Sequence, residues 1–87
     1  MREIILDGHE MTTKVAMHDY LKNQFNLPYY YGRNLDSLYR ILAKETDPIK
    51  IVLKNKDSIA IGYGDALMLL FLDLTQKNKN YDFDLIS

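Results

Sequence analysis

The sequence predicts an α/β fold in which a three-stranded parallel sheet is covered by helices. Short apolar runs near residues 3–6, 49–53 and 83–86 alternate with longer segments that have helical spacing. Helical crossovers of this kind make neighbouring strands parallel and their connections right-handed. Because half of an 87-residue chain is too short to bury a core of its own, we expect one domain over residues 1–87.

The N-terminal third predicts a strand and then a helix. Residues 3–6 hold adjacent isoleucines and a leucine, and the turn signal Asp7-Gly8 follows them. Thr12 or Thr13 can cap the next helix, since a hydroxyl there accepts from a free backbone N–H. Apolar side chains then recur every four residues, at Met17, Leu21 and Phe25. Asn26-Leu27-Pro28 ends the helix, because the residue before proline avoids helical geometry.

The middle third predicts a second helix and a second strand. Asn34 is placed to cap a helix that carries Asp36 in its first turn, where a carboxylate suits the positive helix end. Helical spacing continues to about Lys44 through four apolar positions: Leu35, Leu38, Tyr39 and Leu42. Asp47-Pro48 breaks the helix, and the β-branched run Ile49–Leu53 is typical of a buried strand.

The C-terminal third predicts a strongly apolar helix and a last strand. Residues 59–61 are expected to form a short helical turn, and the glycines in 62–64 a flexible break. Asp65 can cap a helix over 66–74, which 77–80 ends with lysines and asparagines. The third strand holds Phe83, Leu85 and Ile86, and the intervening Asp82 and Asp84 are expected to flank the solvent face of an edge strand.

Composition favours a cytoplasmic protein. The chain has no cysteine, which removes disulfides and thiolate metal sites and suits a reducing compartment. The apolar run at the N-terminus is too short for a signal peptide. The longest apolar stretch, 66–72, has seven residues, whereas about 20 are needed to span a bilayer. We therefore expect no membrane association.

The residue pattern offers no catalytic or cofactor site. His9 and His18 are nine residues apart, which is not the spacing of two metal ligands on one helix face. His18 lies beside an apolar stripe, so we expect it to be half-buried and hydrogen-bonded. Gly62-x-Gly64 has Leu67 where a dinucleotide fingerprint requires a third glycine. We therefore predict that the protein is not an enzyme and needs no cofactor or metal.

Charge is unevenly distributed along the chain. The net charge is −1, yet the segment from Tyr29 to Lys56 holds six bases and three acids and so carries +3. These bases are either scattered over a solvated surface, where folding could mix them with acids, or they form a basic region that a partner recognises.

A dense motif runs from the first helix into the second: Leu27-Pro28-Tyr29-Tyr30-Tyr31-Gly32-Arg33-Asn34-Leu35-Asp36-Ser37-Leu38-Tyr39. It resembles the signature of the barstar family of ribonuclease inhibitors, which carry Leu-Pro, Tyr-Tyr-Gly, one variable residue, Asn-Leu-Asp-x-Leu and an aromatic residue. Chain length and the terminal Leu85-Ile86-Ser87 also suit that family. The resemblance implies a barstar-like fold and a protein that blocks a ribonuclease active site, with a ribonuclease as partner and a monomeric free state.

The resemblance also implies which residues contact the partner. They belong to the tyrosine segment, to the second helix and to the last helix: Tyr30, Tyr31, Gly32, Asn34, Asp36, Tyr39, Arg40 and Asp73. Tyrosines suit such a role because they bury large rigid faces and their hydroxyls still find partners. A purely structural alternative stays open, in which the rings pack on the sheet edge, Asn34 only caps its helix and Asp36 only pairs with Arg40.

Two basic residues depart from the family pattern. The best-known members have an acidic residue directly after the aromatic residue, and it fills the nuclease active site. That position here is Arg40, and Arg33 also stands where an acid is common. Three hypotheses follow: inhibition of a nuclease with a different charge pattern, a barstar-fold adaptor for another protein, or direct binding of RNA or a nucleotide. We rank RNA last, because the bases are not clustered with interleaved aromatic residues.

Overall fold

Three parallel strands form one sheet whose spatial order follows the chain: β1 (Arg2–Asp7), β2 (Ile49–Lys54) and β3 (Tyr81–Ile86). Ile4 lies opposite Ile51, and Ile51 lies opposite Phe83. The computed structural model describes residues 1–86, so Ser87 of the C-terminal motif lies outside the described residues. The predicted α/β fold with a three-stranded parallel sheet is confirmed.

Three α-helices connect the strands: α1 (Lys14–Phe25), α2 (Leu35–Leu42) and α3 (Tyr63–Lys77). Two 3₁₀ turns, Gly8–Glu10 and Lys56–Ser58, follow β1 and β2. Of the two threonines predicted to cap α1, Thr13 does so, because its hydroxyl accepts from the backbone N–H of Ala16 at 3.1 Å. Asn26 ends α1 in the left-handed region at φ 53°, which asparagine tolerates.

The core lies on one face of the sheet. Alternate strand residues pack there with the buried sides of the helices: Ile4, Leu6, Ile49, Ile51, Leu53 and Tyr81. Phe83 also packs against this core, whereas Lys50 and Asp84 lie on the opposite face of the sheet and pair there at 3.1 Å. Asp82 and Asp84 are exposed on β3, which is an edge strand as predicted. The helices therefore build a two-layer molecule on one side of the sheet.

Side chains of α1 cover the outer edge of β1. The hydroxyl of Tyr20 accepts from the backbone N–H of Asp7 at 3.0 Å, and the Gln24 amide donates to the carbonyl of Ile5 at 3.0 Å. An edge strand otherwise presents unpaired backbone groups to other chains. These two contacts satisfy the Asp7 N–H and the Ile5 carbonyl, and they fix α1 against the sheet.

The segment between β2 and α3 differs from the prediction. The short helical turn lies at Lys56–Ser58 and not at 59–61, because Ile59 is extended and buries its side chain in the core. The residue that caps α3 is Gly62, at φ 85°, and not Asp65. Asp65 lies in the first turn of the helix, where its carboxylate pairs with Lys56.

Residues 62–64, predicted to form a flexible break, instead form the start of α3. Gly64 is buried in the first turn of the helix. A Cβ atom at this position would lie 2.8 Å from the carbonyl oxygen of Lys56. The glycine therefore permits close packing of α3 on the preceding 3₁₀ turn, which a larger side chain would prevent.

Candidate functional site

The loop between α1 and α2 turns two of its three tyrosines outward. Tyr29 is 93% exposed and Tyr30 is 67% exposed, whereas Tyr31 is only 6% exposed. The outward rings pack edge to face with their centroids 5.6 Å apart. We call residues 28–32 the tyrosine loop. It presents a two-ring aromatic surface next to the first turn of α2.

Tyr31, which the resemblance places among the partner contacts, is buried. Its side chain enters the core, and its hydroxyl oxygen lies 2.5 Å from Nδ1 of His18 on α1. Burial raises the pKa of the Tyr31 phenol to about 12. Three consecutive tyrosines in the sequence do not indicate which ring turns inward. In the structure it is the ring that contacts the buried imidazole of His18. Tyr31 anchors the loop, and its neighbours form the surface.

His18 is more deeply buried than the sequence predicts. It is 2% exposed, and its Nε2 atom has no hydrogen-bond partner among residues 1–86. Burial lowers the pKa of this imidazole, and the positive charges of Arg33 and Lys14 lower it further. The expected hydrogen bond is present at Nδ1 alone, so a neutral ring joins α1 to Tyr31.

Arg33 gives the loop a second connection to α1. Its guanidinium lies 2.7 Å from the carboxylate of Asp19 and 3.5 Å from the carbonyl oxygen of Val15. The Arg33 backbone is left-handed at φ 55°, which directs the chain from the tyrosine loop into α2. The charge that departs from the family pattern at this position is therefore matched by a carboxylate of α1.

Two polar side chains, those of Asn34 and Ser37, close the junction between the loop and α2 through backbone groups. The Asn34 carbonyl oxygen accepts from the backbone N–H of Ser37 at 2.7 Å, which confirms the predicted cap. The Asn34 amide donates to the carbonyl of Gly32 at 3.1 Å, and the Ser37 hydroxyl accepts from the Gly32 N–H at 2.8 Å. A Cβ atom on Gly32 would lie 3.2 Å from the Asn34 amide, so glycine allows this close approach.

Asp36 and Arg40 pair along the exposed face of α2. Nη2 of Arg40 lies 2.9 Å from Oδ2 of Asp36, one helical turn away, and both side chains are exposed. The paired arrangement that the structural alternative describes is therefore present. It leaves both groups accessible, since an exposed pair of this kind contributes only about 0.2–1 kcal/mol.

Tyr39 and Asp73 bring α2 and α3 together beside this face. Both side chains are half-buried. The adjacent Asp73 side chain raises the pKa of the Tyr39 phenol, and desolvation adds to the shift. The acidic residue expected on the last helix thus lies against the aromatic residue of α2.

A shallow groove of about 410 Å³ separates the tyrosine loop from α2. Its lining includes four of the predicted site residues and three others: Tyr30, Gly32, Asn34, Ser37, Arg40, Ile41 and Lys44. The predicted set omits Ser37, Ile41 and Lys44. Ser37 lies three residues before Arg40 and Lys44 four residues after it, and Ile41 lies four residues after Ser37. This helical spacing could have identified all three.

Residues 1–86 contain neither a cluster of metal ligands nor a membrane-spanning helix. No group of three or more histidine and carboxylate side chains there is arranged to hold a metal ion. No helix in the same range is both long enough and apolar enough to cross a membrane.

Comparison with known proteins gives one family and one close relative. The family model described as "Barstar (barnase inhibitor)" matches residues 1–85. A protein of Bacillus subtilis (strain 168) named "Putative ribonuclease inhibitor YrdF" is 46% identical over 84 residues, covering 92% of each chain. The family match extends across the sheet, the tyrosine loop and all three helices. The chain therefore belongs to the barstar family.

Proposed function

We propose that the protein is a stoichiometric inhibitor of a ribonuclease, that it covers the enzyme's active site with the tyrosine loop and α2, and that it is not itself an enzyme. The observation that carries this proposal is that Tyr29 and Tyr30 point outward. The residues that follow them, Tyr31 and Arg33, are bonded to α1. Membership of the barstar family and the name of the Bacillus relative support it.

The ties to α1 matter because ordering a loop on binding costs free energy. Tyr31 is fixed by His18 and Arg33 is fixed by Asp19 on either side of Gly32. An interface that is already ordered loses less conformational entropy when it meets its partner. Outward tyrosines on such a rigid support are suitable anchors for a protein interface.

The exposed face of α2 supplies the polar part of the interface. Ribonuclease active sites bind phosphate with cationic groups, so the Asp36 carboxylate can occupy a phosphate position there. The proposed contacts are the outward Tyr29 and the predicted residues other than the buried anchor Tyr31: Tyr30, Gly32, Asn34, Asp36, Tyr39, Arg40 and Asp73. We further propose that the free protein is a cytoplasmic monomer with one domain and no cofactor.

Isothermal titration against two ribonucleases tests the proposal. One is a barnase-type enzyme, and the other is a ribonuclease native to the same organism; RNA cleavage is measured in parallel. One-to-one binding with loss of cleavage for either enzyme is the expected result. Absence of both heat and inhibition with the two enzymes would overturn the inhibitor proposal.

Alanine variants test the interface itself. In the complex with the ribonuclease native to the same organism, Tyr30→Ala, Asp36→Ala and Arg40→Ala should each weaken binding and leave the unfolding temperature nearly unchanged, because these side chains are exposed. Lys22→Ala, on the exposed surface of α1, is the matched control and should bind like the wild type. Unchanged affinity in all three interface variants would contradict the proposed contact surface.

An adaptor for a protein that is not a nuclease is the second candidate function. The observation that favours it is the Arg40 side chain, which stands where the best-known relatives have an acid. The same titrations separate the two functions, since an adaptor would leave both ribonucleases fully active.

A further inference from the structure

We infer that the groove between the tyrosine loop and α2 receives an acidic segment of the partner protein, whose carboxylates are held by Arg40 and Lys44. This inference rests on the proposed function, because it names the chemistry of the partner surface that meets the same site. At this end of the interface the inhibitor would supply the basic residues and the partner the acidic ones, which is the reverse of the charge pattern expected from the best-known relatives.

The charges around the groove leave a positive surplus. Arg40 and Lys44 are exposed, line the groove and lie one helical turn apart. Asp36 balances Arg40, whereas Lys44 takes part in none of the ion pairs found among residues 1–86. None of the seven lining residues is acidic. A partner carboxylate would therefore meet Lys44 without displacing an existing ion pair.

The acid nearest to this end of α2 in the sequence is already engaged. The Glu45 carboxylate accepts from the backbone N–H groups of Thr46 and Asp47, both at 3.1 Å, and it does not line the groove. Its interactions close the turn after α2 and leave the ammonium group of Lys44 to an external partner.

The shape and lining of the groove favour a protein segment over RNA. Its walls include the ring of Tyr30 and the half-buried side chain of Ile41, which suit an apolar side chain between two carboxylates. A nucleic-acid backbone needs a track of several bases, because affinity increases with the number of phosphates neutralised. Here two bases lie in one groove, and Arg33 is directed to Asp19.

NMR titration of the ¹⁵N-labelled protein with a short acidic peptide tests the inference directly. The probe is acetylated and amidated Asp-Glu-Leu-Asp-Glu, and the matched neutral probe is Asn-Gln-Leu-Asn-Gln. We expect saturable shifts of the Tyr30, Arg40, Ile41 and Lys44 amides with the acidic peptide only. Equal shifts with the neutral peptide, or no localised shifts with the acidic one, would overturn the inference.

Charge reversal identifies the residues that hold the carboxylates. Arg40→Glu and Lys44→Glu should each lower affinity for the acidic peptide about tenfold, since each places like charges together. Lys22→Glu on α1 is the control and should change affinity less than about twofold, because that side chain lies outside the groove. Dispersed amide spectra show that each variant is folded. An equal loss in the Lys22 variant would contradict the inference.

A penta-uridylate titration provides the competing outcome. Tighter and salt-sensitive binding of this RNA at the same amides would overturn the inference in favour of nucleic acid. The inference and the proposed function fail separately. Peptide binding without ribonuclease inhibition would refute only the inhibitor role, and inhibition without peptide binding would refute only the acidic partner segment.

Discussion

Nδ1 of the buried His18 lies 2.5 Å from the hydroxyl oxygen of Tyr31, and this contact joins α1 to the tyrosine loop. The loop is the segment that carries the outward rings of Tyr29 and Tyr30. A single hydrogen bond in the core therefore supports the exposed surface proposed to meet the nuclease. Stability and recognition are coupled at this point, and the coupling can be measured.

Removal of the Tyr31 hydroxyl should destabilise the protein. In Tyr31→Phe the buried Nδ1 of His18 would lose its hydrogen-bond partner, as Nε2 already has none among residues 1–86, and this loss costs about 1–3 kcal/mol. Urea unfolding followed by circular dichroism measures the free energy of unfolding. The exposed Tyr30→Phe is the matched control and should change it by less than about 0.5 kcal/mol. Equal stability of the two variants would show that the buried hydrogen bond contributes nothing.

Stability should also fall as the pH decreases below 6.5. The pKa of folded His18 lies below its ordinary value of 6.5, chiefly because of burial, with Arg33 and Lys14 adding to the effect and Asp19 opposing it. Above pH 6.5 the ring is neutral in both states and its contribution is complete. Below that pH the unfolded chain takes up a proton that the folded protein does not, until the pH passes the folded pKa.

Urea unfolding at pH 7.5, 6.5 and 5.5 measures this decline. The slope attributable to one proton is at most about 1.4 kcal/mol per pH unit. Asp7, whose pKa is lowered from 3.8, loses its contribution only at lower pH and so does not interfere. His18→Gln should remove the decline between pH 6.5 and 5.5. The same decline in that variant would assign it to another group.

Local signals in the sequence were sufficient for most of the element boundaries. The hydroxyl of Thr13 and the Asn26-Leu27-Pro28 stop bound α1 as predicted, because caps and proline act within a few residues. The start of α3 was wrong by several residues. Gly62 caps it through a left-handed backbone, and Asp65 pairs with Lys56 nine residues earlier, a contact that only the fold creates.

The candidate site was predictable only in part, for the same reason. Asn34 and the Asp36–Arg40 pair follow from spacing within a single helix. The inward turn of Tyr31 depends on His18, and the orientation of Arg33 depends on Asp19, both on another helix. Contacts between elements determine which of several similar side chains face a partner, and a linear pattern does not contain them.

Asn34→Ala should lower stability by about 1 kcal/mol, because the cap of α2 and the contact with Gly32 are lost together. Thermal unfolding of this variant measures the loss. Asp36→Ala removes an exposed side chain of the same helix and is the control, with a loss of a few tenths of a kcal/mol. A larger loss for Asp36 than for Asn34 would reverse the structural and interface roles assigned to them.

Arg40→Asp should increase affinity for a barnase-type ribonuclease by at least about tenfold. In the proposed complex Arg40 faces the partner from α2, and a cationic active site opposite it would place like charges together at a cost of several kcal/mol. The aspartate removes that repulsion and adds an attraction. It also places two acids one turn apart on α2, so the variant should lose a few tenths of a kcal/mol in stability. Isothermal titration and urea unfolding measure the two effects.

Lys22→Asp, which makes the same charge change on α1, is the control and should leave affinity within about threefold of the wild type through long-range attraction alone. An equal gain in affinity for both variants would contradict a specific role of Arg40, because the change in net charge would then explain it. A gain confined to position 40 would show that this residue selects the nuclease.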